Sequence, residues 1–288
     1  MVNPQDGTVE HSKLPVGCGD TPHCLIPSGT NLIVSGVGRT VTFGEGKSRN
    51  KTNRVGNGWI TVPAQEPNAV WLGILAKGEN RGRGLSAVRE VDLDGNVIRS
   101  IRPPDGRWPM ESTDEGLLFQ IGNGLRLWSF DEKRLTEHIP GPFPADTHGS
   151  LVASCGDPCK AMAITDLQSG STDRIAPPQG FEWASSYQGS FSPDGTKIAL
   201  PISRGDRSNQ SLALVDVATG EASLIPRSGL EPWYQAITWS SDGSRLYWST
   251  ADGALKAYDP AEDRTDQVAD LQMGHGGRVI QMVAVPSE

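Results

Sequence analysis

The sequence predicts an all-β fold, and three observations support that prediction. The chain of 288 residues contains 34 Gly and 21 Pro, a composition that suits short strands joined by turns and disfavours long helices. Segments in which apolar and polar residues alternate recur along it, as strands with one buried face require. Two of them, "FSPDGTKIAL" (191–200) and "TWSSDGSRLYW" (238–248), contain Asp-Gly, which tolerates the positive φ angles of a tight hairpin turn.

A longer repeat indicates how many sheets there are. In each copy an alternating segment ends in Asp, a short polar loop follows, and a second strand ends in an aliphatic residue, usually near Pro. Successive copies are about 35 to 50 residues apart, the period of propellers and other arrays of like units. The repeated position is occupied by Gly44, Asp92, Asp131, Asp166, Asp216 and Asp259.

Two further strands precede each repeated position, so each unit holds four strands. Small residues dominate the first of the four, as in "FPADTH" and "YQGSFS", which is typical of strands crowded near a propeller axis. A lone four-stranded sheet cannot bury both faces, whereas sheets packed face to face in a ring can. We therefore predict a six-bladed β-propeller of four-stranded antiparallel blades at residues 25–288, preceded by an extension at residues 1–24.

Ring closure has two interpretations. The C-terminal segment "RVIQMVAVP" (278–286) reads as one strand with no partner after it, so it could complete the N-terminal blade and close the ring by pairing the terminal strands. Alternatively, "HCLIPS" (23–28) is itself the first strand of that blade, and the C-terminal strand pairs elsewhere, in a seventh blade. Six blades are the simpler expectation.

The Ser-Pro-Asp-Gly-x-x-Ile/Leu segment resembles the repeat of TolB-like and related WD-type propellers. "FSPDGTKIAL" matches it well, "WSSDGSRLYW" is a good second copy, and "PSGTNLIVS" is a faint third. The resemblance implies a propeller and, for that group, often an extracytoplasmic protein that binds other macromolecules. It transfers no catalytic residue, because the repeated residues are structural.

The four cysteines form two close pairs, Cys18 with Cys24 and Cys155 with Cys159. In both segments, "CGDTPHC" and "CGDPC", Gly-Asp follows the first Cys and a Pro stands before the second Cys. Two local disulfides are therefore expected. Zinc ligation with His23 and His148 is an alternative whose spacing matches no familiar site, and buried or free thiols are another. Disulfides indicate an oxidising compartment. We therefore expect a secreted or surface-anchored protein whose leader or anchor is absent from this chain.

The charge pattern excludes one class of partner. The formal net charge is −8 and the Lys and Arg residues are scattered, whereas nucleic acids and anionic membranes require a basic face. No apolar run reaches the ~18 residues of a membrane-spanning helix. We expect a monomer with no cofactor, no metal and no nucleic-acid partner.

The predicted site is the mouth of the central channel, at the loops that lead into each first strand. Four of the eight Trp residues occupy this position, and His fills the other two. Indole rings offer a flat apolar face and one N–H donor, which suits sugar rings and peptide side chains, although such residues also pack between blades. The residues are Trp59, Trp108, His148, Trp183, Trp233 and His275, with charged neighbours at Arg107, Glu182 and Glu231.

Two functions fit this arrangement. The favoured one is a non-enzymatic recognition or scaffold module that binds a protein, peptide or glycan at the aromatic mouth. The alternative is a propeller glycoside hydrolase or lyase in which Glu182 and Glu231, or His148 and His275, act as acid and base. Nucleophile and phosphate-loop motifs are absent, and "VDLDGN" (91–96) reads as a turn rather than a calcium loop.

Overall fold

The computed structural model of the chain describes most of its residues from His23 onward. The described ranges are 23–28, 31–36, 39–44, 52–66, 68–75, 84–141, 143–156, 159–184, 189–205, 210–230, 237–271 and 281–284. Within them, 25 strands form six antiparallel sheets, each a meander in which consecutive strands pair. Described residues up to Ile139 belong to one compact unit and those of 140–284 to a second, with three sheets each.

The first unit contains sheets 1 to 3. Sheet 1 consists of β1 (Leu25–Ser28), β2 (Asn31–Gly36), β3 (Arg39–Gly44) and β4 (Thr52–Gly56). Sheet 2 consists of β5 (Ile60–Pro63), β6 (Ala69–Leu75), β7 (Leu85–Asp92) and β8 (Val97–Ile101). Sheet 3 consists of β9 (Pro109–Thr113), β10 (Gly116–Ile121), β11 (Gly124–Ser129) and β12 (Leu135–Ile139). A single 3₁₀ turn, Pro104–Gly106, connects sheets 2 and 3.

The second unit contains sheets 4 to 6. Sheet 4 consists of β13 (Phe143–His148), β14 (Leu151–Cys155), β15 (Met162–Asp166) and β16 (Thr172–Ile175). Sheet 5 consists of β17 (Glu182–Trp183), β18 (Ser190–Phe191), β19 (Lys197–Ser203), β20 (Gln210–Asp216) and β21 (Ala222–Leu224). Sheet 6 consists of β22 (Ile237–Trp239), β23 (Leu246–Ser249), β24 (Ala254–Asp259) and β25 (Arg264–Asp270).

Sheet 5 keeps the four-stranded plan although it has five segments. Strands β17 and β18 both pair with the same edge of β19, β17 at Ile202 and Ser203 and β18 at Ile198 and Ala199. They are two halves of one first strand. Six four-stranded antiparallel meanders are the arrangement of a six-bladed β-propeller, so the predicted fold class is confirmed.

The first strand of sheet 1 corrects one detail of the prediction. Strand β1 pairs with β2 from Leu25 opposite Val34 to Ser28 opposite Asn31, so sheet 1 has four strands of its own and does not need the C-terminal segment as its first strand. The "HCLIPS" alternative is therefore the correct interpretation of this sheet. The pairing of residues 278–286 remains a prediction, since most of that segment lies outside the described residues.

Apolar side chains fill the spaces between neighbouring sheets within each unit. Between sheets 2 and 3, Trp71 packs in one cluster with Leu117 and Phe119. Between sheets 5 and 6, Leu212 packs in one cluster with Trp248. These side chains are buried, and the burial of aliphatic and aromatic surface against the next sheet is the main stabilising contribution to such a fold.

The repeated turns have the structure that their sequence predicts. The Ser192 hydroxyl donates to Asp194 Oδ1 at 2.6 Å, and the Thr196 backbone N–H donates to the same oxygen at 3.1 Å. In sheet 6 the equivalent residues, Ser240, Asp242 and Ser244, repeat these bonds at 2.6 and 3.0 Å. Asp92 likewise accepts the Asn96 backbone N–H at 2.8 Å, which confirms that "VDLDGN" is a turn.

Candidate functional site

Two exposed indoles stand directly before the first strands of neighbouring sheets. The Trp59 backbone N–H donates to the Gly73 carbonyl at 2.7 Å, which extends the β5–β6 ladder by one residue. Trp108 immediately precedes Pro109, the first residue of β9. The side chains are 39% exposed at Trp59 and 46% at Trp108, unlike the buried Trp71, Trp183, Trp239 and Trp248. Both indoles are thus exposed to solvent, and their part in binding a ligand stays a prediction.

The first strands that carry these indoles are bonded to each other in matching register. The Ser112 hydroxyl of β9 donates to the Pro63 carbonyl of β5, and the Gln65 side-chain amide donates to the Ser112 carbonyl at 3.0 Å. Pro63 follows Trp59 by four residues, and Ser112 follows Trp108 by four. Trp59 and Trp108 thus precede their first strands at matching sequence positions in neighbouring sheets. We refer to Trp59, Arg107 and Trp108 as the aromatic edge.

A tight connection holds Arg107 and Trp108 in place. The Arg107 backbone N–H donates to the Pro104 carbonyl at 2.8 Å and closes the 3₁₀ turn. Gly84, the residue before β7, lies so close that a Cβ atom there would stand 2.2 Å from the Gly106 carbonyl oxygen. Gly84 therefore lies against this turn. Arg107, which precedes Trp108 in the chain, is also exposed.

The equivalent position of sheet 5 is built differently. Trp183 lies inside β17 rather than before the strand, and its side chain is 4% exposed in the core cluster of sheets 4 and 5. Its indole N–H donates to the Ile175 carbonyl at 3.1 Å, so its face and its donor are both engaged. Glu182, the preceding residue of β17, is exposed. Of the two, only Glu182 reaches solvent.

A cation and an aromatic ring lie beside Glu182. The Arg204 guanidinium carbon lies 4.6 Å from the centroid of the Phe181 ring, a cation–π contact, and Arg204 follows the strand residue Ser203 that pairs with Glu182. The sequence had not indicated Phe181. The sequence signal that could have indicated Phe181 is its place directly before Glu182.

His148 is a correction to the predicted mouth. It is the last residue of β13, at the turn into β14, whereas the mouth residues were expected before the first strand. Its ring lies 6.2 Å from that of Phe191, and a Cβ atom on Gly195 would stand 2.4 Å from the imidazole. The sequence pattern already predicts "FPADTH" as a first strand, and its final His lies one strand length away from the connection that precedes β13.

The remaining predicted side chains lie outside the described residues. These are Glu231, Trp233 and His275. Their part in a ligand site stays a prediction.

The cysteines bear out one predicted disulfide directly. Cys155 and Cys159 are bonded, with their Cα atoms 5.4 Å apart, at the end of β14. Cys24 is also disulfide-bonded, and Cys18 lies outside the described residues. His23, considered above as a zinc ligand, instead has its Nε2 2.8 Å from a carboxylate oxygen of Glu111. Across the described ranges, no group of three or more His, Cys, Asp or Glu side chains is arranged to hold a metal ion.

The described part of the chain contains no helix of the length and apolarity needed to cross a membrane. No family model matches the chain, and no curated protein matches it in sequence. The TolB-like and WD-type resemblance therefore rests on the repeated turn alone.

Solved structures do match. The structure of Kluyveromyces lactis Hsv2 aligns with a TM-score of 0.59 and 12% sequence identity, over 86% of this chain and 81% of that one. A variant of the same protein, with its loop 6CD replaced by a Gly-Ser linker, aligns with a TM-score of 0.60 and 14% identity, over 90% and 83%. At such low identity these likenesses show the fold and nothing further.

Proposed function

We propose that this protein is a non-enzymatic recognition propeller that works outside the cytoplasm and binds a protein, peptide or glycan through its aromatic edge. The observation that carries the proposal is the exposure of Trp59 and Trp108 at equivalent positions of adjacent strands. An indole left in water loses the stabilisation of burial, so two exposed indoles in matching register favour a contact surface over a packing role.

The chemistry of the aromatic edge suits an extended polar ligand. Indole faces stack on the apolar faces of sugar rings or on peptide side chains, and their N–H groups donate hydrogen bonds. The exposed Arg107 guanidinium adds donors for carboxylate or hydroxyl oxygens. Because the indoles precede the first strands of successive sheets, a ligand that covers both must present at least two apolar units in series.

We favour binding over catalysis because the two acid–base candidates in the described ranges, Glu182 and His148, lie at opposite ends of neighbouring first strands. Glu182 is the first residue of β17, at the start of the first strand of sheet 5. His148 is the last residue of β13, and it lies against Gly195 in the turn that follows that same first strand. A glycosidase requires two carboxyl groups within about 5–10 Å of each other across the substrate. Glu231 and His275, which lie outside the described residues, would have to supply the missing partner.

The proposed compartment rests on the cysteines. The Cys155–Cys159 bond closes a loop of the kind that persists in oxidising surroundings and is rare in the cytosol. Cys24 is also oxidised, which supports the same conclusion.

Glycan and peptide arrays test the proposal and separate the ligand classes. Purified wild type is compared with a Trp59→Ala, Trp108→Ala double variant, and Leu224→Ala serves as the matched control because it removes another exposed apolar side chain. We expect a set of ligands that wild type and the control bind and that the double variant loses, with unchanged thermal unfolding in all three. Identical array profiles for wild type and the double variant would contradict the proposal.

A further inference from the structure

The outermost strand of sheet 2 presents two adjacent apolar side chains to solvent. Val97 and Ile98 are 52% and 54% exposed, and both belong to β8, the last strand in the order β5-β6-β7-β8. Among the described residues no strand pairs with the outer edge of β8. A strand edge of this kind offers free backbone N–H and C=O groups to any extended chain that comes beside it.

The β7–β8 ladder is irregular at this apolar pair. In the β7–β8 pairing Val91 lies opposite Val97, while the preceding residue, Glu90, lies opposite Arg99. Ile98 is therefore an extra residue without a direct partner, a β-bulge. Such bulges re-aim side chains, so two consecutive residues can both face solvent where a regular strand would turn one of them inward.

The other outer strands show how an edge without a partner is usually protected. Strand β16 exposes Thr172, Asp173 and Arg174, and β25 exposes Asp266 and Gln267. Strand β21 exposes Leu224 but is only three residues long. Charged side chains and short length are standard defences against unwanted strand pairing. Strand β8 is five residues long and exposes two apolar residues in sequence, and its one charged side chain, Arg99, is engaged with Glu90 and the Phe130 ring.

Two cations that form no ion pair with a described residue lie towards the C-terminal end of β8. Arg89 lies opposite Ser100 in the ladder, and Arg102 follows the strand directly. Both side chains are exposed, and neither forms an ion pair with a described residue. Arg99, by contrast, is engaged with Glu90. The free positive charge thus lies towards the C-terminal end of β8, away from the carboxyl of Asp94 in the preceding turn.

We propose that the outer edge of β8 binds an extended segment of a partner protein by strand addition, and that this segment alternates apolar side chains with carboxylates. Backbone hydrogen bonds to the edge supply affinity, Val97 and Ile98 receive the apolar side chains, and Arg89 and Arg102 select the acidic ones. A second copy of this chain fits less well, because β8 itself carries no carboxylate to offer. This interaction is independent of the aromatic edge.

The test uses a capped synthetic hexapeptide, alternately glutamate and valine, labelled for fluorescence polarisation. The full-length wild-type protein is expected to bind it. Ile98→Lys places a charge on the edge and should weaken binding at least about tenfold, equivalent to about 1.4 kcal/mol. Arg89→Gln with Arg102→Gln should weaken binding and remove most of its salt dependence. Leu224→Lys, at the short outer strand of sheet 5, should leave binding unchanged.

Two altered peptides separate strand addition from other contacts. A peptide N-methylated at alternate amides cannot donate those hydrogen bonds, and a peptide with lysine in place of glutamate reverses the charge. Both should bind at least about tenfold more weakly. The proposal is wrong if the first peptide does not bind wild type, if N-methylation or Ile98→Lys has no effect, or if sedimentation shows that this edge instead joins two copies of the chain. Unchanged thermal unfolding confirms that each variant is folded.

Discussion

The guanidinium carbon of Arg99 lies 4.1 Å from the centroid of the Phe130 ring, so a residue of the last strand of sheet 2 covers an aromatic ring of sheet 3. Beneath it the Phe130 ring stacks on Trp71 with centroids 5.3 Å apart. Arg99 Nε also lies 3.2 Å from a carboxylate oxygen of Glu90, whose side chain is nearly fully buried. One guanidinium therefore balances a buried carboxylate and closes the apolar seam between two sheets.

Removing this cation should destabilise the protein more than its surface position suggests. We expect Arg99→Met to lower the free energy of unfolding by about 2–3 kcal/mol, because it leaves the Glu90 carboxylate buried without its partner. Arg99→Lys should lower the free energy of unfolding by less than Arg99→Met does, because it keeps the charge beside Glu90. It still loses the planar contact with Phe130. Urea unfolding measures both. Arg102→Met is the control, with an expected change within about 0.5 kcal/mol, and an equal loss in all three variants would contradict this role.

Glu90 should give stability a specific pH dependence. Burial raises the pKa of the Glu90 carboxyl above its usual 4.5, and attraction to Arg99 offsets part of that rise. Since the folded-state pKa exceeds the unfolded value, the protonated form stabilises the fold below about pH 4.5, and this contribution is lost as the pH rises through the raised pKa. In Glu90→Gln this decrease of stability with rising pH should be absent. The free energies of unfolding of wild type and Glu90→Gln, measured between pH 4 and 7, test this prediction. Parallel profiles of the two proteins would refute it.

The Asp194 turn should contribute in the opposite direction. The Ser192 hydroxyl foremost, followed by the backbone and side chain of Thr196, lowers the pKa of Asp194 from 3.8 to about 2. A depressed acid pKa stabilises the fold above about pH 3.8, and that contribution is lost as the pH falls through about 2. Asp194→Asn should therefore flatten the acid limb of the stability profile between these values.

Ser192→Ala isolates the cause of this shift. Without the hydroxyl, the pKa of Asp194 should move up towards 3.8, as followed by the NMR shift of its carboxyl carbon against pH. The equivalent turn of sheet 6 is an internal control, because Ser240 holds the pKa of Asp242 at about 2 independently. A shift at Asp242, or none at Asp194, would show that the hydroxyl is not responsible.

The sequence predicts features of this molecule that depend on neighbouring residues in the chain. The turns at Asp92 and Asp194 follow from side chains that bond to backbone groups two to four residues away, and alternation specifies the strands beside them. Six copies of that local unit are enough to predict the fold class. The first strand of sheet 1 was ambiguous because "HCLIPS" is short and its turn lies close to the next strand.

The site was harder to predict because it depends on where each strand begins. Trp59 and Trp108 lie one residue before their strands and are exposed, whereas Trp183 lies within β17 and is buried. Side chains alternate between faces along a strand, so one residue of register decides between solvent and core. The bulge at Ile98 is likewise a property of two paired strands, which no local pattern in β8 alone reveals.

Stability measurements should separate the two kinds of Trp. Trp183→Ala should destabilise the protein by about 3–5 kcal/mol, since it opens a cavity in the core of sheets 4 and 5. Trp183→Phe keeps most of the packing but leaves the Ile175 carbonyl without its hydrogen-bond donor. It should lower the free energy of unfolding by about 1 kcal/mol. Trp108→Ala, an exposed residue, should change stability by no more than about 0.5 kcal/mol. Chemical denaturation compares the three, and a large loss at Trp108 would indicate a packing role there.

Gly84 provides the last test, because it lies against the turn that precedes Arg107 and Trp108. Its φ is +94°, and an added Cβ would meet the Gly106 backbone at 2.2 Å, where no flexible side chain can yield. Gly84→Ala should therefore displace the turn that carries Arg107 and Trp108. Gly122→Ala is the matched control, because Gly122 also has a positive φ, +62°, but no atom lies within 4 Å of an added Cβ. This substitution should therefore add only backbone strain, about 1 kcal/mol. In urea unfolding, Gly84→Ala should lower the free energy of unfolding by at least about 1 kcal/mol more than Gly122→Ala does. It should also change the quenching of Trp fluorescence by acrylamide. Equal losses of stability in both variants would mean that the Gly84–Gly106 contact does not position this edge.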